Sequence, residues 1–293
     1  MILKKYIFYP IAISLTLAIG FILYQYCHTT RYAIFAGYNK DGIIEPYVID
    51  YLKGLNEVTD GIVYITDSSL KEGELDKLKG INIIYNEHAR HQEYDWGSYK
   101  RGHIWLRING YLEKADELIL ANDSCYAPLS SFKPMFKEMQ KRKELDFWSD
   151  LQNTQFTPHL QSYFYVFRKP VLKSKLLDVF LRKIQHQEHH WKYILNYELK
   201  LTSYLENFGF KRDSYMPYEK LSYLEKPEKN SYPLTLIKDH KHQFLKRRIF
   251  TENLEVNESI PELLDYLKIN YPKTYENIKQ AKHPRIKEYF KDN

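Results

Sequence analysis

The feature that most constrains this chain is an alternation. Between residues 31 and 124, short apolar runs ending in turn formers trade places four times with stretches of helical spacing. YAIFA at 32–36 ends at Gly37 and predicts a strand. EPYVIDYLKGLNE at 45–57 puts Tyr47, Val48, Tyr51, Leu52 and Leu55 at helical spacing. GIVYITDSS at 61–69 predicts a second strand, and a charged helix follows over 72–79. INIIYNE at 81–87 predicts a third strand, a helix follows over 97–112, and DELILANDS at 116–124 predicts a fourth strand. Strands joined by helices lie parallel, so the pattern predicts an α/β fold with a mostly parallel sheet flanked by helices. Ligands of such sheets bind beyond the carboxyl ends of the strands. That directs attention to residues 37–41, 67–69, 86–97 and 122–128. Further on, HLQSYFYVF at 159–167 predicts a strand and 172–205 a mostly helical stretch. Residues 251–293 predict a helical tail, with Pro261 opening one helix and Pro272 preceding the next.

Ahead of this pattern, residues 6–30 contain no Asp, Glu, Lys or Arg. The apolar stretch over 6–27 is long enough to cross a bilayer as a helix, for which roughly 20 residues suffice. It has no polar stripe, and Tyr6, Tyr9, Tyr24 and Tyr26 stand near its ends as interfacial aromatics do. The reading is one uncleaved transmembrane helix. A cleaved signal peptide ranks second, because the small-x-small triplet Ala18-Ile19-Gly20 lies inside the apolar run. The expected organisation is an anchor over 1–30, one catalytic-size domain over 31–250 and the tail over 251–293. Lys4 and Lys5 against Arg31 and Lys40 bias the orientation only slightly.

Composition narrows the function. At 44% hydrophobic and 27% charged residues, the chain is neither wholly disordered nor a polytopic membrane protein. Two cysteines, Cys27 and Cys125, exclude a disulfide scaffold and a four-thiolate zinc site. The 43 basic residues are interleaved with 37 acidic ones, so no nucleic-acid partner is expected.

Two strand tips carry chemistry. In ANDSCYAP, residues 121–128, an apolar strand delivers Asn122, Asp123 and Ser124 to its carboxyl end. Asp123 offers a hard oxygen to Mg²⁺ or Mn²⁺, ions that bind one or two carboxylates together with phosphate oxygens. An Asp-Ser turn or a helix cap explains the triplet equally simply. In EYDWGSYKRG, residues 93–102, Asp95 suits ribose hydroxyls, Gly97 a close backbone approach, and Lys100 and Arg101 a phosphate; a helix cap with a solvated basic face is the plain alternative. Glu198, in YELKLT, is the candidate general base, with Asp146 or Asp150 in its place as alternatives. His159 and Gln161 open a strand and are candidates for the acceptor side. Lys246 and Arg247, within IKDHKHQFLKRR at 237–248, are candidates for a diphosphate clamp, with His240 or His242 as a further metal ligand. A solvated basic helix or a membrane-surface patch is the alternative there. His186, Glu188, His189 and His190 lack the spacing of the zinc-protease motifs and read as a solvated face.

These fragments occur in a recognisable order. RYAIFAGYNKDGIIEPYVIDYLKGL, NEHARHQEYDWGSYKRG, ELILANDSCYAPL, DFWSD, HLQSYFYVF, YELKLTSYL and PLTLIKDHKHQFLKRRIF together resemble the rhamnan synthesis F family of bacterial glycosyltransferases over residues 31–250. The resemblance implies a GT-A-like nucleotide-sugar fold and a role in assembling surface polysaccharide. It implies that Asp123 holds a metal and the donor diphosphate beside Asn122 and Ser124. It also implies that Asp95, Gly97, Ala36 and Tyr38 border the nucleoside. Asn122 stands where many such enzymes have an aspartate, and Ala127 and Lys200 where glycine is usual. The expected activity is transfer of a sugar, rhamnose being the leading candidate, from a nucleoside diphosphate to a glycan or lipid-linked acceptor. The expected location is the membrane, with the domain facing the cytoplasm. A sugar-phosphate transferase, and an inactive membrane-tethered protein that binds or assembles glycans, remain as alternatives.

Overall fold

A computed structural model of the chain describes residues 28–154, 156–216, 221, 232–252 and 256–290. The chain divides into two units, residues 1–30 and residues 31–293. The expected anchor over 6–27 lies outside the described residues, and no helix among those described is long and apolar enough to cross a membrane.

The second unit is a mixed α/β structure. Strands β1 (Arg31–Gly37), β2 (Gly61–Thr66), β3 (Ile83–His88) and β4 (Glu117–Asn122) alternate with helices α1 (Pro46–Asn56) and α2 (Tyr94–Ile108). They pair in the order β3-β2-β1-β4, all parallel. The segment joining β2 to β3 holds a 3₁₀ helix, Glu74–Leu78, where an α-helix was expected. Beyond β4 lie β5 (Cys125–Tyr126), β6 (Phe147–Asn153), β7 (His159–Leu160) and β8 (Phe164–Arg168). Then come helices α3 (Leu176–Arg182) and α4 (Leu199–Asn207), strand β9 (Arg212–Met216), helix α5 (Pro233–His240) and strand β10 (Leu245–Lys246). Antiparallel β8 sits between β4 and β6, so β6 runs in the direction of β4, and β9 pairs parallel with β6.

Every residue of β1, β2 and β4 is buried, as expected of parallel strands covered on both faces. Successive side chains serve opposite cores. Ala33, Phe35, Ile62 and Tyr64 pack with Tyr51, Leu52 and Leu55 of α1. Ile34, Val63, Leu118 and Leu120 pack with Tyr99 and Leu106 of α2. The tail adds α6 (Ile260–Asn270), capped by the Ser259 hydroxyl accepting from the Glu262 backbone N–H, and α7 (Pro272–Gln280). Leu263, Leu267 and Ile278 belong to the same core as α1, and Asn277 donates to Asp50 of α1 at 2.8 Å. The tail is therefore part of the compact unit rather than an appendage.

The amino edge of the sheet is sealed. Glu117 holds both Arg31 and Arg168, and the Arg168 guanidinium also donates to the carbonyls of Met139, Arg142 and Leu145. Asp146 sits at this edge, where its carboxylate accepts from the Lys211 backbone N–H at 2.9 Å. The spare carboxylate proposed from sequence is thus at the end of β6 that faces away from the strand tips. The carboxyl edge is where the chain leaves room for a ligand.

Candidate active site

At the tip of β4, the Asp123 backbone N–H donates to Ala36 O at 3.1 Å, which ties the turn to the end of β1. The Asp123 carboxylate accepts from the Tyr38 backbone N–H at 2.9 Å. Burial raises its pKa, and the Arg247 guanidinium nearby pulls it back. Asn122 folds over this turn: its Oδ1 accepts from Ser124 N at 3.1 Å and from Ser124 Oγ at 2.7 Å. Its amide donates across to Asp95 Oδ2 at 2.8 Å. The triplet makes a local turn and also joins two strand tips.

Asp95 opens α2. Its carboxyl is pushed up to about 7, first by burial and then by the Glu198 carboxylate, while the Asn122 bond works in the opposite direction. Glu198 closes a π-helical turn, Ile194–Glu198, inserted ahead of α4. Such turns widen a helix by one residue and are frequent at functional sites. Glu198 Oε1 lies 3.4 Å from the Ser162 backbone N–H donor and 3.8 Å from His159 Nε2. His159 Nδ1 lies 2.7 Å from Thr157 O, so that nitrogen carries the proton and Nε2 faces Glu198.

A further part of the lining comes from the 246–248 segment. Strand β10 pairs with β5, setting Lys246 opposite Cys125. Lys246 Nζ stands 3.7 Å above the Tyr163 ring, and burial pushes its pKa down. Arg247 donates to Asp123 O at 3.2 Å, lies 4.3 Å over the Tyr47 ring and reaches Glu45 at 3.6 Å. Together these segments border a cleft of about 900 Å³. Asp95, Asn122, Asp123, Ser124, His159, Gln161, Glu198, Lys246 and Arg247 all line it.

Other sequence expectations take different places. Lys100 Nζ is held by Glu93 at 2.8 Å and by Ile184 O at 2.9 Å, away from the cleft lining. Gly97 serves packing: a Cβ there would stand 2.2 Å from Glu93 Cβ. Ala36 is buried in the sheet, and Tyr38 turns its ring under Arg90 at 4.9 Å, so neither lines the cleft. His242 is buried and its Nε2 lies 2.6 Å from Asp150 Oδ2, which also accepts from the Tyr163 hydroxyl at 2.5 Å. That ring is committed to Asp150 and does not join Asp123. Among the described residues no three His, Cys, Asp or Glu side chains converge as a metal site. Cys125 is buried and its thiol is pushed up to about 11, in keeping with a structural role. Arg248, from the basic stretch singled out in the sequence, lines the cleft as well, and Ser162 and Tyr163 line it without having been expected there. A sequence carries no local mark for residues that reach a site only by folding.

Fold and site together define an α/β protein with a carboxylate- and cation-lined cleft at the carboxyl edge of its parallel strands. The chain belongs to the RgpF family, rhamnan synthesis protein F, whose model matches residues 62–291. It is 26% identical over 181 residues to the protein y4gN of Sinorhizobium fredii, described as uncharacterized. That match covers 61% of this chain and 46% of the relative, so the chain spans about half the relative's length. Among solved structures, it is similar to a glycosyltransferase involved in glycosylation of the major capsid of PBCV-1, with TM-score 0.40 and 13% identity over 74% of this chain and 94% of that one. It is also similar to core-mannan synthase A from Aspergillus fumigatus in its Mn/GDP form, with TM-score 0.33 and 8% identity over 53% and 64% of the two chains. The architecture described above rests on the strand order itself.

Proposed function

We propose that the protein is a glycosyltransferase that moves a sugar, rhamnose by preference, from a nucleoside diphosphate to a growing cell-surface glycan. Membership of a rhamnan synthesis family supports the product class. The observation that carries the reaction is one cleft lined by Asp95, Asp123 and Glu198 together with Lys246 and Arg247. Carboxylates and cations sharing one cleft suit a reaction that removes a proton and releases a diphosphate.

In this reading the Glu198 carboxylate takes the proton of the acceptor hydroxyl, whose oxygen forms a bond to the anomeric carbon. The bond from that carbon to the phosphate oxygen breaks, and the diphosphate leaves with its electron pair. Lys246 and Arg247 offset the charge that develops on it. Attack from the Glu198 side, with departure on the cationic side, inverts the anomeric centre. Asp95 and Asn122 face the nucleoside, and His159 and Gln161 border the acceptor. Asp123 fits Mg²⁺ or Mn²⁺ as a lone protein carboxylate, the remaining ligands being phosphate oxygens and water. Bound there, the ion would supply further charge neutralisation at the diphosphate. The reading includes an anchor over 6–27 with the domain on the cytoplasmic side, where activated sugars are made.

A thermal-shift panel of nucleotide sugars with and without Mn²⁺ tests the donor class. A true donor at about 100 times its Kd stabilises the native form by about 2.7 kcal/mol. The reading expects a rise of several degrees with one nucleotide family and slow release of nucleoside diphosphate, lost in Asp123→Ala. No stabilisation by any nucleotide sugar would overturn it.

A further inference from the structure

We propose that an aromatic rim at the cleft mouth, formed by Tyr94, Phe156 and His190, binds successive pyranose rings of a rhamnose-containing oligosaccharide acceptor. The proposal rests on the transferase reading and assigns the acceptor a minimum length.

Phe156 is 71% exposed and Tyr94 45% exposed, and Trp191 nearby in sequence to His190 is 54% exposed. Single exposed aromatics are ordinary on protein surfaces. Here Phe156 and His190 line the same cleft as Glu198, and the Tyr94 ring lies 4.9 Å from that of His190. Flat rings beside polar groups match a sugar, which offers a face of C–H bonds to an aromatic plane and hydroxyls around its edge. Rhamnose, a 6-deoxy sugar, presents a methyl group as well.

The backbone supplies a second observation. Gln92 and Tyr94 both occupy the left-handed region, at φ 59° and 54°. For residues with a side chain that conformation costs about 1–2 kcal/mol each. The turn is held in place from several sides. Asp67 Oδ1 accepts from His91 N at 2.6 Å and from Gln92 N at 2.9 Å, Glu93 N donates to His91 Nδ1 at 3.1 Å, and His186 Nδ1 lies 2.9 Å from Gln92 O. So firmly held a turn fixes the Tyr94 ring against the rings of His190 and Tyr193.

Distance adds a third. The helical turn His190–Tyr193 runs directly into the π turn that ends at Glu198. At helical rise, His190 and Glu198 are separated by roughly 10–12 Å along the axis. A sugar whose hydroxyl meets Glu198 therefore leaves room for further rings before the rim. His190 and the base belong to one continuous helical element, so an acceptor gripped at His190 is held in register with the carboxylate.

Calorimetric titration of the full chain with α-rhamnose mono- to tetrasaccharides tests this. Affinity should rise about tenfold from mono- to tetrasaccharide, and Phe156→Ala and Tyr94→Gly should each lower tetrasaccharide affinity about three- to tenfold, the worth of one aromatic contact. Tyr94→Gly relieves the left-handed strain but also removes ring contacts with His190 and Tyr193, so Tyr94→Phe, which keeps those contacts, should retain both fold and affinity. Monosaccharide and nucleotide binding should be unchanged in all three variants. Affinity independent of length, or unmoved by both truncations, would overturn the rim while donor stabilisation left the transferase reading standing. Absence of donor stabilisation would instead strike at that reading.

Discussion

Burial and the neighbouring Glu198 carboxylate push Asp95 up to about 7, against an ordinary value near 3.9. Between about pH 4 and pH 7 the folded chain keeps a proton that the unfolded chain has released. The stability linked to this group is therefore fully present below about pH 4 and declines as pH rises through 7. Asp95→Asn removes the loss and keeps an acceptor for Asn122, so its stability relative to the parent should rise across that window and then level off. The gain should be on the order of 2 kcal/mol once solvent screening in the cleft is allowed for, as read from urea midpoints at pH 4, 6 and 8. Glu198→Gln should lower kcat by about 10²–10⁴ with donor KM little changed, the mark of a lost general base; an equal loss in donor binding would point to a positioning role instead. The tip residues Asn122, Asp123 and Asp95 were legible because each ends or follows an apolar run. Tyr163 was not, and Asp150, an alternative base from sequence, is instead fully buried and bonded to Tyr163 and to His242, 92 residues further along the chain. His242 looked like a ligand for the same reason that it is a good partner for a buried carboxylate.

At the scale of elements, α2 shows how a glycine can be misread. A Cβ at residue 97 would meet Glu93 Cβ at 2.2 Å and His91 Nδ1 at 3.0 Å. The residue lets the strained 91–94 turn pack back onto its own helix, with no ligand involved. Gly97→Ala would gain helix propensity worth about 1 kcal/mol. Overpacking of about 1–3 kcal/mol should outweigh it and lower the urea midpoint, with Glu93 and its partners Lys100 and Arg101 displaced. An unchanged midpoint would mean that the turn yields. The early strands were readable because parallel strands buried on both faces are continuous apolar runs. The expected 172–205 helix instead breaks at Lys175 (φ 61°), leaves the helix between α3 and His190, and widens into the π turn. Likewise, the expected 159–167 strand divides into β7 and β8. These breaks bring Glu198 to the Ser162 backbone N–H, a contact across 36 residues that local spacing does not record. Strand β9, with only Ser214 and Met216 buried, carried too weak an alternation to be noticed.

For the whole molecule, the tail is the part whose role changed most. Leu263 and Leu267 are fully buried in the core that also covers α1. Truncating either to Ala should cost about 2–5 kcal/mol, as large as for a residue in the central sheet. Chemical denaturation should show one cooperative transition shifted as a whole; a separate early transition would mark the tail as an independent unit.

What the sequence determined by itself was the class of architecture and the edge on which to look. Alternating apolar runs admit few ways to bury themselves, and parallel strands place their tips together. The resemblance in ordered motifs pointed to the same family that the family model matches over residues 62–291. Only the tertiary structure decided which polar residues share the cleft and which, such as Lys100, Asp146 and His242, are held elsewhere by other partners. A side chain's chemistry is local, but its partner is chosen by packing across the chain.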